Sequence, residues 1–315
     1  MATSSDLPVV NIDLKLPTGW EVLTDKQLRY LFGLLSLNFP SQQVKTYCLF
    51  RWSGMQVMHR YGKGWYCKFV FSEFVIFAPQ INAAITSLDW IDTLPTMPVR
   101  IARIGRHRAV PADFEGVPFE TFIVCDNLYQ GYLTTKQDNL LDELAAHLYN
   151  TKRIKLTAAE RVSVFYWFAS LKGFLAKVFK HFFQPVAGAS GADGNMIEHG
   201  GSQYEMLQNA VNAQIRALTK GDITKEKEVL SLDTWRALTE LDAQAREYEE
   251  LNRKFPSKGS IYFPMVAGTR PSFLNTSQQP TASQKVNTSP FAGSAVWTGS
   301  KKRLTICSSR WHLSA

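Results

Sequence analysis

Thr157-Ala-Ala-Glu-Arg-Val-Ser-Val-Phe-Tyr-Trp-Phe-Ala-Ser-Leu-Lys-Gly-Phe-Leu-Ala-Lys-Val-Phe-Lys-His-Phe-Phe183 is the stretch on which the fold turns. It opens with a capping box: the Thr157 hydroxyl and the Glu160 carboxylate can each serve a backbone N–H that a helix start leaves free. Val164, Trp167, Phe168, Leu171, Leu175, Val178 and Phe182 then recur at helical spacing. From Val162 to Leu171 the segment is apolar almost all round, as suits a helix at the centre of a bundle. Lys172, Lys177 and Lys180 would also suit a membrane interface, but an interfacial helix keeps one polar face throughout.

Upstream, residues 1–19 read as an extended leader with Val10, Ile12 and Leu14 alternating. Thr24-Asp-Lys-Gln27 is a second capping box, followed by Leu28, Leu31, Phe32 and Leu35, and Pro40-Ser41 opens another helix. Between Met55 and Phe77 the pattern turns to β-formers flanking Gly62-Lys-Gly64, which predicts a hairpin turn rather than a phosphate loop. Residues 79–95 read as a helix ending near Asp89–Asp92, followed by an irregular stretch from Pro95 to Pro118. Helices resume at Phe119–Tyr132 and Leu140–Tyr149.

Downstream, the Gly-rich run from Pro185 to Gly201 has linker composition. Beyond it, Leu207, Val211, Ile215 and Leu218 stripe one helix, and Asp222 can cap a short one over Ile223–Leu230. Trp235, Leu238, Leu241, Ala245 and Tyr248 stripe a last, highly charged helix ending near Phe255.

The net charge of +8 is unevenly placed. Residues 256–315 hold seven Lys or Arg and no Asp or Glu, leaving 28 basic against 27 acidic residues in 1–255. The part with a fold signal is thus nearly neutral and makes no general electrostatic case for a polyanion. Residues 256–315 carry eleven Ser, six Thr and no period of 2.0 or 3.6, which predicts disorder. A mainly α protein is expected: a helical domain over 1–183 with a small β-hairpin or sheet near 55–77, a linker over 184–201, a helical subdomain over 202–255 and a basic disordered tail over 256–315.

Cys48, Cys67, Cys125 and Cys307 are widely separated, with no paired-ligand spacing, which predicts reduced thiols rather than disulfides or zinc. No signal-peptide pattern or apolar run of membrane-spanning length occurs, so a cytoplasmic protein without membrane contact is expected. No catalytic or metal motif stands out, and a non-enzymatic protein without a cofactor is expected. Glu198-His199 resembles a fragment of an acid–base site but falls in the linker, and Asp89 with Asp92 suits capping and solvation better than paired-carboxylate chemistry. Arg100, Arg103, Arg106 and Arg108, with His107, could clamp phosphates, yet Asp113, Glu115 and Glu120 follow closely and could pair with them.

The segment Ala217–Asp242 resembles the C-terminal helical part of tail assembly chaperones of long-tailed phages: a short helix, a leucine-containing turn, and a helix with a conspicuous Trp. Thr46–Gly54, Asp126–Leu133 and Phe165–Leu171 are similar to uncharacterised prophage proteins. The resemblance implies a non-enzymatic chaperone or scaffold-like protein that binds the tape-measure and tail-tube proteins in the bacterial host cytoplasm. On that reading, Trp235, Leu238, Leu241, Ala245 and Tyr248 either pack inside the domain or form a partner groove. Because such families often make a longer product by frameshifting, 256–315 could be such an extension; an ordinary basic tail or out-of-frame sequence would look the same. The alternative is a nucleic-acid-binding phage protein using Arg100–Arg108 and the tail.

Overall fold

The computed structural model describes residues 9–183, 203–254 and 303–307. These divide into two compact units, one running to Thr93 and including Arg303–Cys307, the other from Leu94 to Lys254. The chain is mainly helical with small antiparallel sheets, as the periodicities require.

In the first unit, Thr24 caps helix α1 (Asp25–Leu35), its hydroxyl accepting from Gln27 N–H while Gln27 serves the Thr24 backbone. Helix α2 (Ser41–Ser53) follows Pro40 and ends at Gly54 with a φ of 79°. Strands β2 (Gln56–Tyr61), β3 (Gly64–Phe69) and β4 (Ser72–Phe77) form a sheet in that order. Cys67, Phe74 and Ile76 are buried in it. The helix expected to end near Asp89–Asp92 changes character on the way: α3 spans Ala78–Ile85, and Thr86–Asp92 tightens into 3-10 geometry. The Thr86 and Ser87 hydroxyls donate to the carbonyls of Ala83 and Ala84, competing with the helix ladder at the point of change.

Trp20 organises this core. Its indole N–H reaches the carbonyls of Trp90 (3.1 Å) and Thr93 (2.9 Å), and its ring meets Trp90 edge-on. The leader expected to be extended forms strand β1 (Val9–Asp13), paired antiparallel with β7 (Arg303–Cys307). Five residues of the segment expected to be disordered are therefore a strand; the rest of that expectation lies outside the described residues. The linker expectation for 184–201, with Glu198-His199, also lies outside them.

The second unit is built on α6 (Ala158–Val178), whose Thr157–Glu160 capping box forms as expected. Ser163, Val164, Trp167–Leu171 and Leu175 are buried along it. Helices α4 (Phe119–Thr135) and α5 (Asp138–Leu148) make a helical hairpin around Lys136, whose φ is 58°. Lys172 ties α6 to Asp126 of α4 at 2.5 Å, and Arg161 grips Asp142 of α5 through two 2.8 Å hydrogen bonds. Helices α7 (Gln203–Thr219), α8 (Glu226–Leu230) and α9 (Thr234–Lys254) complete the unit, so that the 202–255 segment shares a body with 94–183. Between α7 and α8, Asp222 caps a 3-10 turn by accepting from Thr224 N–H.

Candidate functional site

Strand β2 is the anomaly of the first unit. All six of its residues are exposed, and it is an edge of its sheet, bonded to β3 alone among the described strands. Val57, Met58 and Tyr61 are apolar or aromatic residues standing open to solvent. A second apolar exposure lies at the β3–β4 turn, where Phe71 is 98% exposed beside exposed Val70. Val70 has a φ of 54°, a region that a β-branched side chain strongly disfavours. Proteins usually blunt an open edge with proline, short strands, charges or bulges; here the edge carries Arg60 and a register irregularity between Val57 and His59, yet keeps Val57, Met58 and Tyr61 open to solvent.

Register shows how this edge is held, with an irregularity between Val57 and His59. Val57 lies opposite Cys67, itself opposite Phe74, so one face is anchored in the core. On the opposite face His59 stacks on Tyr66 at 4.9 Å, and the Tyr66 hydroxyl donates to Glu73 Oε2 at 2.6 Å. That bond to the carboxylate pushes the Tyr66 phenol above its ordinary titration range. Lys63 at the turn, Arg60 and Lys68 add positive charge around the strand.

The carboxylates Asp89 and Asp92 are occupied structurally. Lys45, only 7% exposed, sends its Nζ to Asp89 (2.6 Å) and Asp92 (2.5 Å), fastening α2 to the 3-10 turn, and the Ser41 hydroxyl also donates to Asp92. Burial disfavours the Lys45 ammonium, but its bonds to the two aspartates outweigh this and raise its pKa. Sequence reading missed Lys45, whose place in α2 gives no sign of its distant partners.

Cys48, Cys67 and Cys125 are free and buried. Burial pushes the Cys48 thiol up to about 12 and Cys67 to about 11, and raises Cys125 as well. No group of three His, Cys, Asp or Glu suited to a metal ion occurs among the described residues, nor is any described helix long and apolar enough to cross a membrane.

The α9 stripe is largely internal. Leu238 and Leu241 are buried, and Trp235 packs edge-on against Phe174 and Phe179 while its indole N–H donates to the Asp113 carbonyl at 2.8 Å. Asp242 accepts from the backbone N–H groups of His181 and Phe182, closing α9 onto the end of α6. Of the five residues expected either to pack or to form a partner groove, these three pack; Ala245 and Tyr248 are half-buried.

Arg103 and Arg108 lie opposite each other in a minimal hairpin, β5 (Arg103–Ile104) and β6 (His107–Arg108), turned by Gly105 and Arg106. Arg100 stands apart, its guanidinium 5.9 Å from the Trp167 ring centroid. The expected local pairing differs for two of these cations: Arg106 and Arg108 form no ion pair with Asp113, Glu115 or Glu120, and Asp113 instead accepts from Glu115 N–H.

No protein-family model, curated protein or solved structure matches this chain.

Proposed function

We propose that the protein is a non-enzymatic assembly chaperone or scaffold-like protein of the long-tailed phage type, acting in the host cytoplasm on the tape-measure and tail-tube proteins. The observation that carries this reading is the β2 edge, exposed along its whole length with Val57, Met58 and Tyr61 on it. Such an edge takes an extended segment by strand addition: main-chain hydrogen bonds supply affinity, and alternate side chains supply selectivity. Arg60, Lys63 and Lys68 favour a client segment in which apolar residues alternate with carboxylates. Phe71 at the neighbouring turn offers a large apolar anchor. Because Trp235, Leu238 and Leu241 are used inside their own unit, the client surface is assigned to the sheet rather than to α9.

Co-expression with a tape-measure protein of a long-tailed phage tests the reading. The expected result is a soluble complex that Met58→Glu and Phe71→Asp each abolish. Both side chains are exposed, so stability should change by no more than about 0.5 kcal/mol. No complex, with no gain in client solubility, would end the proposal.

A further inference from the structure

We infer that a composite basic face on the second unit, made by the Arg100–Arg108 segment and the Lys152–Lys155 segment, binds the phosphate backbone of double-stranded nucleic acid without reading sequence.

The two segments are far apart in the chain but are sewn together at their bases. Val110 N–H donates to the Leu148 carbonyl at 2.9 Å, and the Tyr149 hydroxyl donates to the Ile101 carbonyl at 2.7 Å. Both bonds flank the hairpin, which Ala109 N–H closes onto the Ala102 carbonyl at 3.1 Å. The chain that leaves α5 through Asn150 therefore starts from the base of the hairpin, and Lys152, Arg153 and Lys155 along it are exposed, as are Arg103, Arg106 and Arg108.

The hairpin places Arg103 and Arg108 directly across from each other. Arg100, Arg106, Arg108, Lys152, Arg153 and Lys155 form no ion pair among the described residues. Arg100 Nε is also buried without a hydrogen-bond partner, a donor left unsatisfied beside the Trp167 ring. Residues 1–255, nearly neutral in sum, thus hold in these two segments six cations with no carboxylate partner among the described residues.

The surrounding chemistry selects the ligand. Ile101, Ile104 and Ala109 are buried and Ile154 is half-buried, so the face exposes charge without the apolar centre of a protein interface. No Phe, Tyr or Trp lies in 100–108 or 151–155, leaving His107 as the one ring there that could stack an unpaired base, fewer than single-strand binders use. Arginine forks and lysine points without a base-reading helix suit duplex phosphates.

The full chain is titrated with a mixed-sequence DNA duplex of about 24 base pairs by fluorescence anisotropy, at salt from about 50 to 200 mM. Binding is expected to weaken about a hundredfold or more across that range. In Arg106→Ala/Arg108→Ala and Lys152→Ala/Arg153→Ala, each exposed pair should lower affinity and reduce the log–log salt slope by about 1 per residue removed. The four-residue combination should lose binding at 50 mM to about a tenth or less. Three outcomes overturn the inference: no binding at the lowest salt, binding and slope unchanged in the four-residue variant, or displacement of the duplex by equal charge of polyglutamate. The second would place binding in another basic segment, and the third would point to an acidic protein partner.

Discussion

Trp235 donates its indole N–H to the carbonyl of Asp113, 122 positions earlier in the chain, at 2.8 Å. The neighbouring carbonyl, Ala112, accepts from Trp167 at 2.9 Å, so helices α6 and α9 hold adjacent peptide groups of one loop. The same loop is joined to the start of α9 by Thr234, which donates through both backbone and hydroxyl to Val117, and by Gly116 N–H, which donates to Asp233. Trp235→Phe keeps the ring against Phe174 and Phe179 but orphans a carbonyl, and should cost about 1 kcal/mol. Trp235→Ala also removes the packing and should cost about 3 kcal/mol in urea denaturation.

Lys45 is the bolt of the first unit. Lys45→Met leaves Asp89 and Asp92 facing each other without their shared cation, and should destabilise by about 2 kcal/mol. Adding Asp89→Asn and Asp92→Asn should restore part of the loss, because the repulsion goes with the charges. A triple variant less stable than the single one would show that the ion pairs are not the source.

Alkaline pH should weaken the fold. The Cys48 and Cys67 thiols have folded pKa values of about 12 and 11, above the ordinary thiol value. Between about pH 9 and those values the unfolded chain releases protons that the folded chain keeps. The thiols' contribution is therefore constant below about pH 9 and falls as pH rises, by at most about 1.4 kcal/mol per pH unit for each thiol. Lys45 acts in the same direction: its raised pKa means its contribution is lost as pH climbs through the folded value. Denaturation midpoints at pH 8, about 9.5 and about 10.5 check this, and Cys48→Ala should flatten the decline.

Gly64 of β3 lies close against β4. A Cβ there would stand 2.8 Å from the Ile76 carbonyl oxygen and 2.8 Å from Val75 Cγ1. Gly64→Ala should therefore cost about 1–3 kcal/mol by overpacking, measured by thermal melting. Val70→Gly should act oppositely and stabilise by about 0.5–1 kcal/mol, since it relieves the positive φ.

Local chemistry was legible in the sequence. The Thr24 and Thr157 capping boxes, the hairpin turn at Gly62 and the Asp222 cap each depend on side chains a few residues apart. What escaped depends on long-range neighbours. The pairing of β1 with β7 joins the two ends of the chain, and the Lys45–aspartate contacts span 44 and 47 positions. The α9 stripe left two readings open because periodicity identifies an apolar face but not what covers it. The openness of β2 was hidden for the same reason: its β-formers look alike at the centre and at the edge of a sheet.

Amide hydrogen exchange of β2, read in the free protein and in its complex with the tape-measure client, tests the proposed function most directly. Amides over Gln56–Tyr61 whose N–H groups point away from β3 should exchange freely in the isolated protein and slow at least about tenfold in the complex. A complex that forms while those amides exchange as before, with protection appearing only elsewhere, would contradict the assignment of the client to this edge.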